Sequence, residues 1–425
     1  MQNYSAPLAK RAPRVVLLLA LALVCVLVFW IAARAGFSRL LGKYALIAGD
    51  LSVAEKAASL SPSDPETHRV RAAVFYKLKG LPQAAAELEL ALSLRPLDDS
   101  LWLQLGMLRD EMEDASGASS AFNESIRLAP YYALPRWQRG NFLLRQGRFD
   151  EAFADLRVAA SSNPDYIPTL IDLAWGISKG DQQVAEGYAK ITTGQMHLAF
   201  AEFLARQGKG REAVEQFTQA GAVSDRRRHE LVRYLISANA FKEAFQVWRN
   251  HGTGEPGQQG ATEIYDGGFE GPLSFDEFGF GWRVFRSSQS VKLAADSSVL
   301  ESGSKSLLVE FFGDSNPDTP LLSQVVLVKP STRYRLNFAA RTQEIVTGGL
   351  PRAVVSDSAG PRKRLAESTV VPQKSADWQI VSFDFQTEPK TDAITLSIQR
   401  KNCTTSPCPI FGSLWLDSFS IEELP

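Results

Sequence analysis

Three patterns of apolar and polar positions divide the chain. Residues 15–33 read VVLLLALALVCVLVFWIAA, nineteen positions without a charge. As a helix this run spans roughly 28 Å at about 1.5 Å per residue, close to the ~30 Å hydrocarbon core of a bilayer. It is longer than the ~7–15 apolar residues of a cleavable signal peptide and predicts a transmembrane helix, although Ala33-Arg34-Ala35 has the form of a weak cleavage site. From 41 to 250 the apolar positions recur at helical spacing, and from 262 the period becomes two. Tyr334, Leu336, Phe338 and Ala340 alternate with Arg333, Arg335, Asn337 and Arg341; Val381, Phe383 and Phe385 alternate with Ser382 and Asp384; Ile394, Leu396 and Ile398 alternate with Thr395, Ser397 and Gln399. These are half-buried antiparallel strands. With segments at 306–312, 322–328, 353–356 and 413–421, at least seven strands fit, which implies a sandwich or jelly roll. HGTGEPGQQG at 251–260 separates the two textures and reads as a linker. The expected chain is multidomain: a tail at 1–14, a transmembrane helix at 15–33, an all-α array at 41–250, a linker at 251–261 and an all-β jelly-roll sandwich at 262–425.

Inside the helical part, Pro62, Pro96, Pro130 and Pro164 are spaced by 34 residues, closing the phrases LSP, LRP, LAP and SNP. Ten residues after each proline stands a small residue: Ala72, Gly106, Gly140 and Ala174. A large apolar residue follows at the twenty-sixth place in Leu88, Phe122 and Leu156, flanked by small ones at the twenty-second and twenty-ninth. A small residue lets two backbones approach and the large one fills the gap beside it. This pattern resembles the tetratricopeptide repeat, whose period is 34 residues. Three units at 63–164 follow it closely, with half a unit at 53–61 before them. The register loosens at 180–194 and recovers at 200–221, for five to six units in all. The resemblance implies a curved stack with a concave groove for an extended protein partner. Its lining would include Arg69, Tyr76, Met107, Trp137, Asn141, Arg145 and Trp175, with Trp137 and Trp175 equally suited to filling space between helices. A paired lysine and asparagine clamp for a peptide carboxylate is not evident.

The C-terminal part carries DGGFEG at 266–271, Trp282, GSKSLLVEF at 303–311, VKPSTRYRLNFAAR at 328–341, Trp378 and LWLDSFSIEE near the end. In this order they resemble carbohydrate-binding, galactose-binding-like jelly rolls. The resemblance implies that Glu270 and Asp417 share a structural calcium, the alternative being that both accept backbone amides. Sugar binding needs exposed aromatic faces and planar hydrogen-bonding groups, and Trp282, Phe285, Arg286, Arg341 and Arg400 are the candidates, with a core role open for Trp282.

Charge and composition narrow the rest. With 46 basic against 47 acidic residues, no global field draws the chain to nucleic acid. Cys403 and Cys408 form a local pair, either a disulfide or two buried thiols. The four histidines are scattered, which argues against zinc. Lys10, Arg11 and Arg14 before the apolar run nearly balance Arg34, Arg39 and Lys43 after it; the terminal amine and the lack of an acidic residue ahead of the run favour a cytoplasmic N-terminus. The bulk of the chain would then lie outside an inner cell membrane. The acidic run Asp110, Glu111, Glu113 and Asp114 and the basic run Arg226–Arg228 read as solvated faces. The GxGxxG match at Gly252, Gly254 and Gly257 follows a helix and contains a proline, which speaks against a dinucleotide site. No nucleophile elbow, Walker loop or HExxH helix occurs, so the expected function is a membrane-anchored scaffold with a protein-docking array and a glycan-binding sandwich, in an exopolysaccharide or cell-wall setting implied by resemblance. A purely structural interaction protein with a ligand-less sandwich is the alternative, and a polysaccharide hydrolase a more distant one.

Overall fold

The computed structural model describes residues 12–249, 262–275, 277–285, 289–317, 319–360, 363–403 and 407–425. It forms two compact units, Met1–Lys190 and Ile191–Pro425. The expected linker at 251–261, with its GxGxxG match, lies outside the described residues.

In the first unit a single 37-residue helix, α1 (Ala12–Ala48), contains the apolar run and continues past it. Its C-terminal part pairs with α2 (Leu51–Leu60): the Ser38 hydroxyl donates to the Ala57 carbonyl at 2.7 Å, and Ala45 is buried with Ala54, Val70 and Val74. The half unit read at 53–61 is therefore a whole hairpin, completed by the helix that carries the apolar run. Further pairs follow as α3 (Pro65–Lys77) with α4 (Leu81–Leu94), α5 (Asp99–Glu111) with α6 (Ala115–Leu128), α7 (Ala133–Arg145) with α8 (Phe149–Ser162), and α9 (Ile167–Ile177) with α10 (Gln182–Ala189). Two residues after the repeat prolines, Asp64 and Asp98 cap α3 and α5 by accepting hydrogen bonds from backbone N–H groups of the first turn.

The expected packing of small against large residues is present. A Cβ added to Gly106 would lie 2.8 Å from Phe122, and one added to Gly140 would lie 2.7 Å from Leu156. The hairpins also hold buried charges that the apolar pattern does not announce. Asp155 accepts from Arg136 Nη1 at 3.0 Å and Arg139 Nη2 at 2.8 Å; 68 residues earlier, Glu87 meets His68 Nδ1 at 2.9 Å and pairs with Arg71. Each carboxylate is thus compensated inside its own hairpin.

The second unit opens with α11 (Gly194–Arg206) and α12 (Gly210–Gln219), then α13 (Asp225–Ser237) and α14 (Phe241–Arg249). Seven helix pairs are present among the described residues, against the five to six read from the sequence. Among the described residues the strands that follow are β1 (Arg283–Val284), β2 (Val291–Asp296), β3 (Ser306–Asp314), β4 (Leu322–Leu327), β5 (Arg333–Thr347), β6 (Pro351–Asp357), β7 (Arg364–Glu367), β8 (Lys374–Gln386), β9 (Ala393–Arg400) and β10 (Pro409–Leu424). They form two antiparallel five-stranded sheets, ordered β1-β4-β9-β6-β7 and β2-β3-β10-β5-β8. Between them lies one core containing Phe269, Trp282, Tyr334, Phe338, Leu396 and Leu414. The helices join this sandwich through aromatic contacts. Trp248 of α14 meets Tyr265 and Phe280 edge-on at 5.1 and 5.7 Å and donates its Nε1–H to Glu277 at 3.1 Å. Gly279 has no room for a Cβ, which would lie 2.2 Å from Trp248.

Candidate binding sites

In the repeat array, the first helices of successive pairs bring some of the expected groove residues together. Tyr76, Gln104, Met107 and Glu111 line a pocket of about 260 Å³ with Ala72 and Leu88 at its floor. Met107 and Glu111 also line a neighbouring pocket of about 700 Å³ with Asp110, Gln138 and Arg145. Hydrogen bonding to the Glu111 carboxylate raises the Tyr76 phenol above its ordinary pKa. Asp110 and Glu111, read from the sequence as a solvated turn, thus face the groove, and Arg145 pairs with Asp110. Asp114, from the same run, caps α6 by accepting from the Gly117 N–H. The basic run is not simply solvated either, since Arg227 grips Glu202 with two hydrogen bonds of 2.7 Å and Arg228 is buried.

The other groove candidates have different placements. Trp137 is buried and stacks on Tyr166 with centroids 4.3 Å apart, so it fills space between helices. Asn141 donates to the Trp137 carbonyl one turn back on its own helix. Arg69 makes a paired contact with Glu66, whose hydrogen bond raises the guanidinium pKa. Trp175 is half-buried, with its ring 3.8 Å from where a Gly180 Cβ would sit.

In the sandwich, two residues expected at a sugar are engaged elsewhere. Trp282 is 5% exposed, packs with Phe269 and Phe419, and donates its Nε1–H to the Asp266 carbonyl at 2.9 Å. Arg400 is 3% exposed. Its guanidinium donates to the carbonyls of Ser315 (2.7 Å), Gly349 (3.2 Å) and Cys408 (2.7 Å) and to the Thr347 hydroxyl (3.0 Å). Burial pulls its pKa below the ordinary range, and the nearby Asp314 charge opposes that shift. Arg400 thereby ties together three chain segments, one of them closed by a disulfide between Cys403 and Cys408. Arg341 lies on the outer face of the other sheet, with its guanidinium 5.9 Å from the Trp415 ring. Arg286 lies outside the described residues.

Phe285 borders an open groove. It lines a cavity of about 610 Å³ with Phe275, Arg283, Ser315 and Thr319. A second cavity of about 740 Å³ shares Phe275 and Arg283 and runs along Ser323, Val325 and Thr395, with His229 and Arg233 of α13 as its other wall. The Arg283 guanidinium stands 5.8 Å from the Phe285 ring centroid. Phe275, Arg283 and α13 are groove residues that the sequence reading missed. Arg283 precedes the inward-facing Val284 on β1 and so points outward by alternation alone.

Glu270 and Asp417 flank Gly268, whose added Cβ would lie 3.9 Å from Glu270 Oε1 and 3.6 Å from Asp417 Oδ1. Glu270 accepts from the Ser304 and Lys305 N–H groups at 2.8 and 3.3 Å and from the Ser304 hydroxyl; these hydrogen bonds, led by Ser304, lower its pKa. Asp417, fully buried, accepts from the N–H groups of Glu301 and Ser302 at 3.1 Å and of Ser418 at 2.6 Å. Gly303, at φ 64°, keeps the intervening turn close to Glu270. Among the described residues, no three His, Cys, Asp or Glu side chains are grouped to hold a metal ion.

Residues 263–407 match the family model of a carbohydrate binding domain. Solved structures with similar folds include YrrB, described as a TPR protein with an unusual peptide-binding site, at 18% identity over 37% of this chain and 82% of that one, TM-score 0.32. MamA is similar at 17% identity over 42% and 91%, TM-score 0.29. A structure described as "CBM4 structure and function" is similar at 14% identity over 38% and 99%, TM-score 0.30. No curated protein matches the sequence. The chain carries helical hairpins at a 34-residue spacing and a C-terminal sandwich whose residues 263–407 match the carbohydrate binding domain model.

Proposed function

We propose that this chain is a single-pass, membrane-anchored binding protein that docks a protein partner on its repeat array and a glycan on its sandwich. The observation that carries the glycan half is the carbohydrate-binding family match over 263–407, on a sandwich whose edge, at strands β1 and β2, opens into the Phe275–Arg283–Phe285 groove. Aromatic faces and planar cationic donors side by side are what a sugar ring and its hydroxyls require. In the lining of the larger cavity the two guanidinium groups of Arg233 and Arg283 outnumber the one carboxylate, Glu277, which favours a glycan that carries carboxylates. Arg283→Ala and Phe285→Ala are each expected to weaken retention of the full chain in gels containing an acidic polysaccharide by roughly ten-fold, a loss of about 1.4 kcal/mol. Unchanged retention would remove this groove from the account. The engagement of Trp282 and Arg400 in structural roles supports the competing reading, a sandwich without a ligand, and that reading predicts no retention at all.

For Glu270 and Asp417 we infer an amide clamp. Their carboxylate oxygens face N–H and O–H donors, the opposite polarity from the six to eight oxygens a calcium ion collects. Chelation is therefore expected to leave the melting temperature unchanged; a drop on chelation, restored by calcium, would reinstate the ion.

The anchored reading rests on α1, whose residues from Val16 onward form a helix long and apolar enough to cross a bilayer. The flanking charges are nearly tied, and the lack of an acidic residue just ahead of the run favours the bulk of the chain outside the cytoplasm, which suits an envelope setting. A C-terminal tag is then cleaved by protease added to intact spheroplasts, and full protection would reverse the orientation.

A further inference from the structure

On α1 the apolar surface does not stop where the uncharged run ends. Phe37, Leu40, Tyr44 and Ile47 are 53, 63, 59 and 86% exposed, although the opposite side of the same helical stretch is packed through Ser38, Gly42 and Ala45. Together with Trp30 and Ala33 they are spaced by three, four, three, four and three residues, which is the a and d seam of a heptad. Before Trp30 every residue of the run is apolar, so the diagnostic part is 34–48, where only the seam positions leave large apolar side chains uncovered. The two nearest arginines are turned to their own chain: Arg34 donates to the Leu60 carbonyl at 2.9 Å, and Arg39 pairs with Asp64 at 2.9 Å.

The hydrocarbon core of a bilayer is too thin to cover this stripe. The 33 residues 16–48 measure about 50 Å as a helix, against a hydrocarbon core of about 30 Å. Immersing all of them would need a tilt of about 53°, outside the usual range of about 0–40°. The lower part of the stripe therefore stands beyond the hydrocarbon, unlike the run above it.

We propose that its occupant is a second copy of this chain, packed as a parallel two-helix coiled coil that begins in the membrane and continues to Ile47. Copies inserted in one membrane share their orientation, so a two-fold axis along the membrane normal sets identical a and d positions against each other, as an isologous interface demands. This inference rests on the anchored reading of α1.

The test uses the full chain in its native membrane with Cys25 replaced by serine. Single substitutions Phe37→Cys, Leu40→Cys, Tyr44→Cys and Ile47→Cys are compared with Arg39→Cys, which faces away from the seam, under copper–phenanthroline oxidation. Membrane retention is read in parallel by carbonate extraction. The expected result is covalent dimer at the four seam positions, several-fold above Arg39→Cys, with every variant retained in the membrane. Retention without dimer, or with equal dimer at Arg39→Cys, overturns the coiled coil and leaves the anchor standing. Extraction into the soluble fraction overturns the anchor and the coiled coil with it.

Discussion

Gly140→Leu is expected to destabilise the first unit by about 3 kcal/mol, the upper end of what overpacking costs. No Cβ fits at this position: it would lie 2.7 Å from Leu156 Cγ and 3.2 Å from the Ala152 carbonyl. Leu156 is fully buried and cannot move aside, and the carbonyl belongs to the backbone of α8. The hairpin must open, and because each hairpin buries its apolar face only against its neighbours, the defect spreads along the stack. Thermal unfolding followed by circular dichroism checks this. The pairing of small against large makes a further demand. Leu156→Ala alone leaves a cavity and lowers the melting temperature, whereas Leu156→Ala combined with Gly140→Leu recovers part of each loss. Additive losses would mean that the two positions do not face each other as described.

Arg400→Met is expected to cost about 3 kcal/mol in the stability of the second unit, since a buried acceptor left without its donor costs about 1–3 kcal/mol. Methionine keeps most of the apolar stem but leaves the buried carbonyls of Gly349 and Cys408 without donors, each an expensive loss, and frees the half-buried Ser315 carbonyl. Arg400→Lys rescues only part of this, because an ammonium cannot reproduce the planar fork that reaches three segments at once. Calorimetry of the full chain separates this structural role from a sugar-contacting one: a ligand residue would lower glycan retention while leaving the melting transition in place.

Both residues show how much the chain discloses by itself. The hairpins are legible because a 34-residue spacing of prolines and small residues has a geometric cause, the close crossing of two helices, and Gly106 and Gly140 are where that cause operates. The register fails at 180–194 because α10 is only eight residues long and ends at Lys190 in a left-handed conformation, φ 51°, at the border between the two compact units. The first hairpin was half hidden for another reason: Ser38, Gly42 and Ala45, its contact residues, lie just past a run so apolar that a membrane explanation absorbs them. The strands with clean alternation were visible, while β1, two residues long, and β7, of sequence RLAE, carry too little pattern to be seen.

The binding residues were less legible, and parity explains which failed. Arg400 continues the inward series of Ile394, Leu396 and Ile398 on β9, and Trp282 lies two residues before the inward Val284. Alternation alone places both inside, whatever their chemistry suggests. Arg341, by the same count, follows the inward Ala340 and faces outward. In the array, Asp110 and Glu111 sit in the last turn of α5, one residue apart, and a charge run gives no sign of which members turn toward a groove.

Whether the proposed glycan site holds a polysaccharide without cleaving it is tested most directly by affinity electrophoresis of the full chain in detergent. Gels containing an acidic or a neutral polysaccharide are compared with a polysaccharide-free gel, and the polymer is assayed afterwards for new reducing ends. The expected result is retarded migration in the acidic gel, a retardation that Arg283→Ala weakens, with no reducing ends released. Unchanged migration in every gel, or release of reducing ends, would contradict it.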